Sequence, residues 1–190
     1  MTGSLPTRIG VLLSGGGRTL QNLIDCIASG SLDAEIGCVI SNREAAYGLT
    51  RARQADIPTF VEHEPEHIYT LLRQHQIELV CLAGYLRLLP IAEDFEGRVI
   101  NIHPALLPKF GGKGFHGEHV HHAVLDAKET RSGCSVHYCN NDYDDGPLLL
   151  QTEVEVLPED SVETLAARVF AAECETYPQA IRSWREQHPR

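Results

Sequence analysis

At 190 residues, with 43% hydrophobic and 22% charged side chains, the chain has the size and composition of one globular domain, residues 1–190, with a sizeable core. A formal charge of −10 argues against a broad nucleic-acid surface, which needs clustered Lys and Arg, while leaving room for a small anion held by local positive groups. Apolar stretches fall short of the ~18 residues a membrane span needs; the six cysteines (26, 38, 81, 134, 139 and 174) form no CxxC pair and follow no signal peptide, so they read as buried reduced thiols of a cytoplasmic protein.

Residues 8–13 form a continuous apolar run, expected as a strand, that ends in Ser14-Gly15-Gly16-Gly17. Leu20, Leu23 and Ile24 then keep helical spacing until Gly30. The unit recurs with a strand at 35–40, a helix near 45–55, a strand at 59–61, a helix near 66–76 and a strand at 79–83. Strands that are apolar throughout and separated by helices signal a parallel sheet covered on both faces. A strand at 98–101, a glycine-rich segment at 111–117 and a helix near 119–127 follow. Strands at 134–139 and 148–156, joined by a short link, predict an antiparallel edge; a last helix spans about 162–187, with Pro178 expected to kink or divide it. The fold class is α/β: a doubly wound, mostly parallel sheet with helices on both faces and an antiparallel C-terminal edge.

The loop Ser14-Gly15-Gly16-Gly17-Arg18-Thr19 opens a helix, where backbone amides and the dipole favour an anion. Leu20 stands where a dinucleotide fingerprint needs glycine, no acidic residue closes the second strand, and Gly-Lys-Ser/Thr is absent, so a monophosphate fits better than NAD or ATP. A tight turn is the simpler alternative, although a lone Arg18 in the first helical turn opposes the dipole unless an anion neutralises it. Asn101 and His103 end another strand, and alternation puts them on one side. They either close a turn before Pro104 or, lying with the glycine loop beyond the carboxyl ends of an open sheet, belong to a site. With Asp144 they are an amide, an imidazole and a carboxylate, the groups that steady a tetrahedral oxyanion and move protons around it. His116, His119, His121 and His122 match no standard metal-ligand spacing, so no metal site is expected. Glu173 and Tyr177 lie four apart on the last helix, where a solvated acid is the plain reading.

Taken together, Ser14 to Gly17 with Leu20-Gln21, Ser41-Asn42-Arg43, Leu82 to Leu89, Asn101 to Pro108, Gly133 to His137, Asp144-x-Gly-Pro and Glu173-x-x-x-Tyr177-Pro178 resemble the phosphoribosylglycinamide formyltransferases of purine biosynthesis, from about residue 8 to 184. The resemblance implies formyl transfer from 10-formyltetrahydrofolate, as co-substrate and without a metal, to the glycinamide amine. It implies that Asn101 and His103 bind the oxyanion and that Asp144, rather than its neighbour Asp145, raises the pKa of His103 and assists proton movement. It further implies that Leu86, Arg87, Leu88, Leu89, Asn101 and the loop from Tyr138 hold the folate, and that Gly17, Arg18, Thr19 and Glu173 hold the ribonucleotide. Small-molecule substrates, no nucleic acid, no membrane and a monomer or homodimer complete the expectation. Arg18-Thr19 replaces the commoner Ser-Asn, and residues 63–67 lack the basic folate contact many relatives carry. The segment 110–117 is longer than in several relatives and is expected as a mobile flap, with Lys113 meeting either a substrate anion or solvent. A formyltransferase for a sugar nucleotide and a non-catalytic nucleotide-binding module are the alternatives. Methionyl-tRNA formyltransferases are disfavoured by the acidic charge, and formyltetrahydrofolate deformylases by a first strand at residue 8.

Overall fold

A computed structural model describes residues 5–189. Strands β1 (Thr7–Leu13), β2 (Ala34–Ser41), β3 (Thr59–Val61), β4 (Leu79–Leu82) and β5 (Val99–His103) run parallel. Strands β6 (Arg131–Tyr138) and β7 (Leu148–Glu155) add antiparallel at one edge, giving the order β3-β2-β1-β4-β5-β6-β7. Helices α1 (Arg18–Ala28), α2 (Tyr47–Gln54), α3 (Pro65–Gln74), α4 (Glu118–Asp126) and α5 (Val162–Gln187) complete the chain, with a 3-10 turn at Glu93–Phe95 that the sequence pattern did not signal. The expected fold class holds.

The apolar strands divide their side chains between two layers. Ile9, Val11, Leu13, Leu79, Cys81, Ile100 and Ile102 pack with Leu20 and Leu23 of α1 and Ile181 and Trp184 of α5. Leu12, Ile40, Val80, Leu82 and Val99 pack on the other face with Ile68 and Leu72 of α3 and with Phe95. Burying one such Leu or Ile contributes about 1.5–3 kcal/mol, which is why runs without polar interruptions settle in the middle of a covered sheet. Strand order reverses between β1 and β4, so the ends of these two strands flank a crevice.

Two local expectations change. β5 continues to His103, because the antiparallel partner β6 extends its ladder through His103 opposite Ser135. Pro178 does not divide α5, which runs unbroken for 26 residues. A proline at 178 leaves the Cys174 carbonyl without its helical donor; the Asn22 side chain on α1 donates to that oxygen at 2.9 Å instead. Tyr177, fully buried beside it, donates from its hydroxyl to the carbonyls of Leu82 (2.9 Å) and Ile100 (3.2 Å), tying α5 to the strands that end at the crevice. All six cysteines are free; Cys38, Cys81 and Cys134 are buried, whereas Cys26, Cys139 and Cys174 are only partly so.

Candidate active site

The glycine loop takes its shape from a close approach. Gly17 caps α1 at φ +70°, and a Cβ there would lie 2.6 Å from Gly48 Cα on α2. Arg51 of α2 donates to the Gly16 carbonyl at 2.9 Å and fixes the loop from outside. Buried Ser14 joins the loop to the next strand end: its amide donates to the Gly84 carbonyl (3.0 Å), its hydroxyl donates to Asn42 Oδ1 (2.5 Å), and the same oxygen accepts from the Leu86 amide (2.9 Å).

On the other side of the crevice, the β5–β6 register sets Asn101 opposite His137 and His103 opposite Ser135. Directly opposed side chains on one face of an antiparallel pair meet. Asn101 Nδ2 lies 3.2 Å from His137 Nε2 and donates to Asp144 Oδ1 at 3.3 Å. His137 Nδ1 lies 2.9 Å from the Tyr138 carbonyl, so that nitrogen carries a proton, and in the neutral ring Nε2 accepts from Asn101. Asp144 sits in the left-handed region at φ +54°, which Asp tolerates. Its loop turns back so tightly that a Cβ on Gly146 would lie 1.8 Å from the Tyr138 carbonyl, which explains the glycine in Asp-x-Gly-Pro.

Asp144 is the hub. One carboxylate oxygen faces His137 Nε2 at 3.5 Å; the other faces His103 Nδ1 at 3.5 Å and accepts the Gly112 amide at 2.9 Å. Burial pushes its pKa up, but the side-chain contact with His137, the charge of His103 and the Gly112 amide outweigh that, and the carboxyl lies below its ordinary value. His103 is held below the usual histidine value, because burial outweighs the upward pull of Asp144 and of the Phe110 carbonyl. The upward effect expected of Asp144 is present, and burial outweighs it. His103 Nε2 lies 2.8 Å from the Phe110 carbonyl, to which it donates, and Phe110 adopts φ +56°, unusual for an aromatic residue. Ser135 supports the turn after His103: it donates to the Ala105 carbonyl (2.6 Å) and accepts from the Leu107 amide (3.0 Å).

These groups stand where two cavities meet. The larger, about 630 Å³, runs from Gly15–Thr19 across Asn101, His103 and Asp144 to Glu173, and is roofed by Gly112–Gly117. The smaller, about 60 Å³, lies between Arg87–Leu89 and Cys139–Asp144. Tyr85, Asn101, Tyr143 and Asp144 line both. A cluster of amide and imidazole donors beside a partly buried carboxylate, set between a glycine loop at a helix N-terminus and a second, smaller cavity, is suited to transferring an acyl group between two bound molecules.

A family model described as formyl transferase matches residues 7–181. The chain belongs to the formyl transferase family. It is 37% identical to the phosphoribosylglycinamide formyltransferase of Haemophilus influenzae over 190 residues, covering 94% of this chain and 87% of that one. It is 41% identical over 187 residues to the trifunctional purine biosynthetic protein adenosine-3 of Drosophila pseudoobscura pseudoobscura; that match covers 92% of this chain but only 13% of the fly protein. The crystal structure of glycinamide ribonucleotide transformylase 1 from Symbiobacterium toebii superposes with a TM-score of 0.86 at 36% identity, covering 95% of this chain and 88% of that one.

In this formyl transferase, Asn101, His103 and Asp144 converge, and Gly17, Arg18, Thr19 and Glu173 line the larger cavity with Leu86. Arg87, Leu88 and Leu89 line the smaller one. Tyr138 departs from expectation. Because His137 faces the site, its neighbour points to the opposite face, where the ring packs on the main core and the hydroxyl donates to Gln187 Oε1 (3.3 Å). Only its main chain borders the site. Asp145 is exposed and Asp144 is not, which supports the register chosen by resemblance. Lys113 lines the larger cavity and remains exposed. His116 and His119 stack edge to face, and among the described residues no group of three or more His, Cys, Asp or Glu converges as a metal site.

His137 and Tyr143 carry no individual role in the sequence, and Ser14 is legible only as the first residue of the glycine loop. His137 was accessible through alternation with Asn101 across the sheet. Tyr143 carried no signal: its hydroxyl accepts the Leu88 amide at 3.0 Å, and Asn141 Oδ1 accepts the Ile91 amide at 2.9 Å, so two clasps close the small cavity.

Proposed function

We propose that this chain transfers the formyl group of 10-formyltetrahydrofolate to the amine of 5'-phosphoribosylglycinamide, in the purine pathway. The observation that carries the reading is the meeting of Asn101, His103 and Asp144 at the junction of the two cavities. The acceptor lies in the larger cavity with its phosphate at Gly17–Thr19 and its far end at Glu173; the pterin lies between 86–89 and 139–144. The amine attacks the formyl carbon, the C–N bond to it forms, and negative charge collects on the formyl oxygen. Asn101 Nδ2 and His103 Nε2 donate to that oxygen. Both donors are occupied by protein acceptors here, Asn101 through bonds of 3.2 and 3.3 Å and His103 through the Phe110 carbonyl, so movement of the flap releases His103 toward the oxyanion. The proton leaving the attacking nitrogen passes by way of Asp144 and water to the departing folate nitrogen as the old C–N bond breaks. Asp144 stays ionised to receive it, in line with its lowered pKa.

The reading includes one domain over 1–190, small-molecule substrates, no metal, a cytoplasmic site of action, and a monomer or homodimer that binds neither nucleic acid nor membrane. The charge of −10 supports the exclusion of nucleic acid, and no helix among the described residues is long and apolar enough to cross a membrane. Following tetrahydrofolate release with and without the glycinamide ribonucleotide tests the activity. Release that depends on the ribonucleotide is expected. Release without it indicates hydrolysis, release only with an amino-sugar nucleotide indicates the other acceptor class, and no release in any mixture leaves a binding module; each of these overturns the proposal.

A further inference from the structure

We infer that Phe170 is a positioning residue for the acceptor phosphate, acting through Arg18. The inference rests on the functional reading above and adds a residue to it. Phe170 and Glu173 lie three apart on α5, hence on neighbouring positions of one helix face, and that face meets the start of α1. The Arg18 guanidinium lies over the Phe170 ring, 3.8 Å from its centroid. Arg18, Thr19 and Glu173 line the same cavity.

The geometry matters because of what it leaves open. A guanidinium stacked by its face keeps its N–H donors in the plane, pointing outward, where a phosphate can accept two of them side by side. Among the described residues no carbonyl or carboxylate accepts a hydrogen bond from that guanidinium, and its electrostatic neighbours are Glu173 and Cys174. Glu173 itself lies close enough for Arg18 to pull its pKa down against burial, yet the two form no hydrogen bond. A cation placed at the positive end of α1, stacked on an aromatic ring and left without a hydrogen-bonding partner, is arranged for an anion that arrives from the cavity. The ring replaces a carboxylate as the orienting group, holding the side chain without occupying its donors.

The test is a double-mutant cycle on the full chain, Arg18→Lys and Phe170→Leu, with Phe170→Tyr as the conservative control. Inorganic phosphate binding is read by calorimetry, and steady-state kinetics compare the acceptor with and without its 5'-phosphate. An exposed cation–π contact corresponds to about two- to fivefold in affinity. Phe170→Leu should weaken phosphate binding and raise KM for the phosphorylated acceptor by that factor, with kcat and the folate KM within about twofold, and Phe170→Tyr should match the parent. On the Arg18→Lys background, Phe170→Leu should have no further effect, since an ammonium cannot present the same fork. Unchanged phosphate affinity in Phe170→Leu, additive losses in the double variant, or an equal penalty on the dephosphorylated acceptor would each overturn the inference. Should Phe170→Leu fail to fold, the same cycle run with Phe170→Met keeps it falsifiable. If the parent binds phosphate but turns over no ribonucleotide, the functional reading fails while the phosphate cycle still decides the role of Phe170.

Discussion

Replacing Asp144 by Asn keeps the size of the side chain and removes the charge that both imidazoles face. At the 3.5 Å separating Asp144 from His103 Nδ1, a unit ion pair gains about 5 kcal/mol at an effective dielectric of ~20. Desolvation offsets part of that. With about 3 kcal/mol surviving in the transition state, the loss is roughly 10²-fold in kcat, at the lower end of what a positioned proton-transfer group contributes. The sign of the pH effect follows from the same contact. Asp144 favours the imidazolium, so its removal moves the His103 pKa further down, and the alkaline limb of kcat/KM shifts to lower pH. Asp145 is exposed and makes no hydrogen bond to the cluster, so Asp145→Asn should change neither rate nor profile. Single-turnover kinetics over a pH series on both variants measures this. Near-parental turnover in Asp144→Asn, or a collapse in Asp145→Asn, refutes the argument.

Tyr143→Phe frees the Leu88 amide from its 3.0 Å hydrogen bond and should tighten binding of tetrahydrofolate about fivefold, the equivalent of about 1 kcal/mol, read by fluorescence titration; weaker binding would mean the phenol contacts the folate instead of competing with it. Burial raises Glu173 to about 7 against the nearby Arg18, so the folded protein holds its proton more tightly than the unfolded chain. Stability of the ligand-free protein should therefore fall as pH rises from about 4.5 to about 7, and Glu173→Gln should flatten that slope in urea titrations while raising the acceptor KM. Asn22→Ala leaves the Cys174 carbonyl without a donor and should cost about 1 kcal/mol in chemical denaturation; adding Pro178→Ala, whose amide supplies the helical bond, should recover most of it.

Much of the fold is legible because it is local. The runs at 8–13, 35–40 and 79–83 match strands to within a residue at either end, and the glycine loop sits where the first apolar run stops. Asn101 and His103 are legible for the same reason, as a period-two pair at a strand end. What remains hidden is set by pairs distant in the chain. His137 joins the site only because the ladder sets it opposite Asn101, 36 residues away. The resemblance puts Tyr138 at the start of the folate loop, and alternation sends its ring to the other face. Pro178 breaks a helix in isolation; Asn22, 152 residues from Cys174, supplies the missing donor.

The site divides mechanically along the same line. Ser14 binds the end of β1 to Gly84, Leu86 and Asn42, so the glycine loop and the inner wall of the smaller cavity form one hydrogen-bonded unit at the switch point. The opposite wall differs in kind. Phe110 and Gly112 reach the cluster through single bonds, one to His103 and one to Asp144, from a segment with left-handed Phe110, Gly112, Gly114 and Gly117. Lifting that wall breaks two hydrogen bonds, each worth about 1 kcal/mol net, and shifts Phe110 from its packing beside Val124 and Val169, whereas moving the first would unpick the buried centre of the sheet. On the proposed function, motion of residues 110–117 frees His103 and Asp144 from these two bonds without disturbing the β5–β6 register that aligns Asn101 and His103.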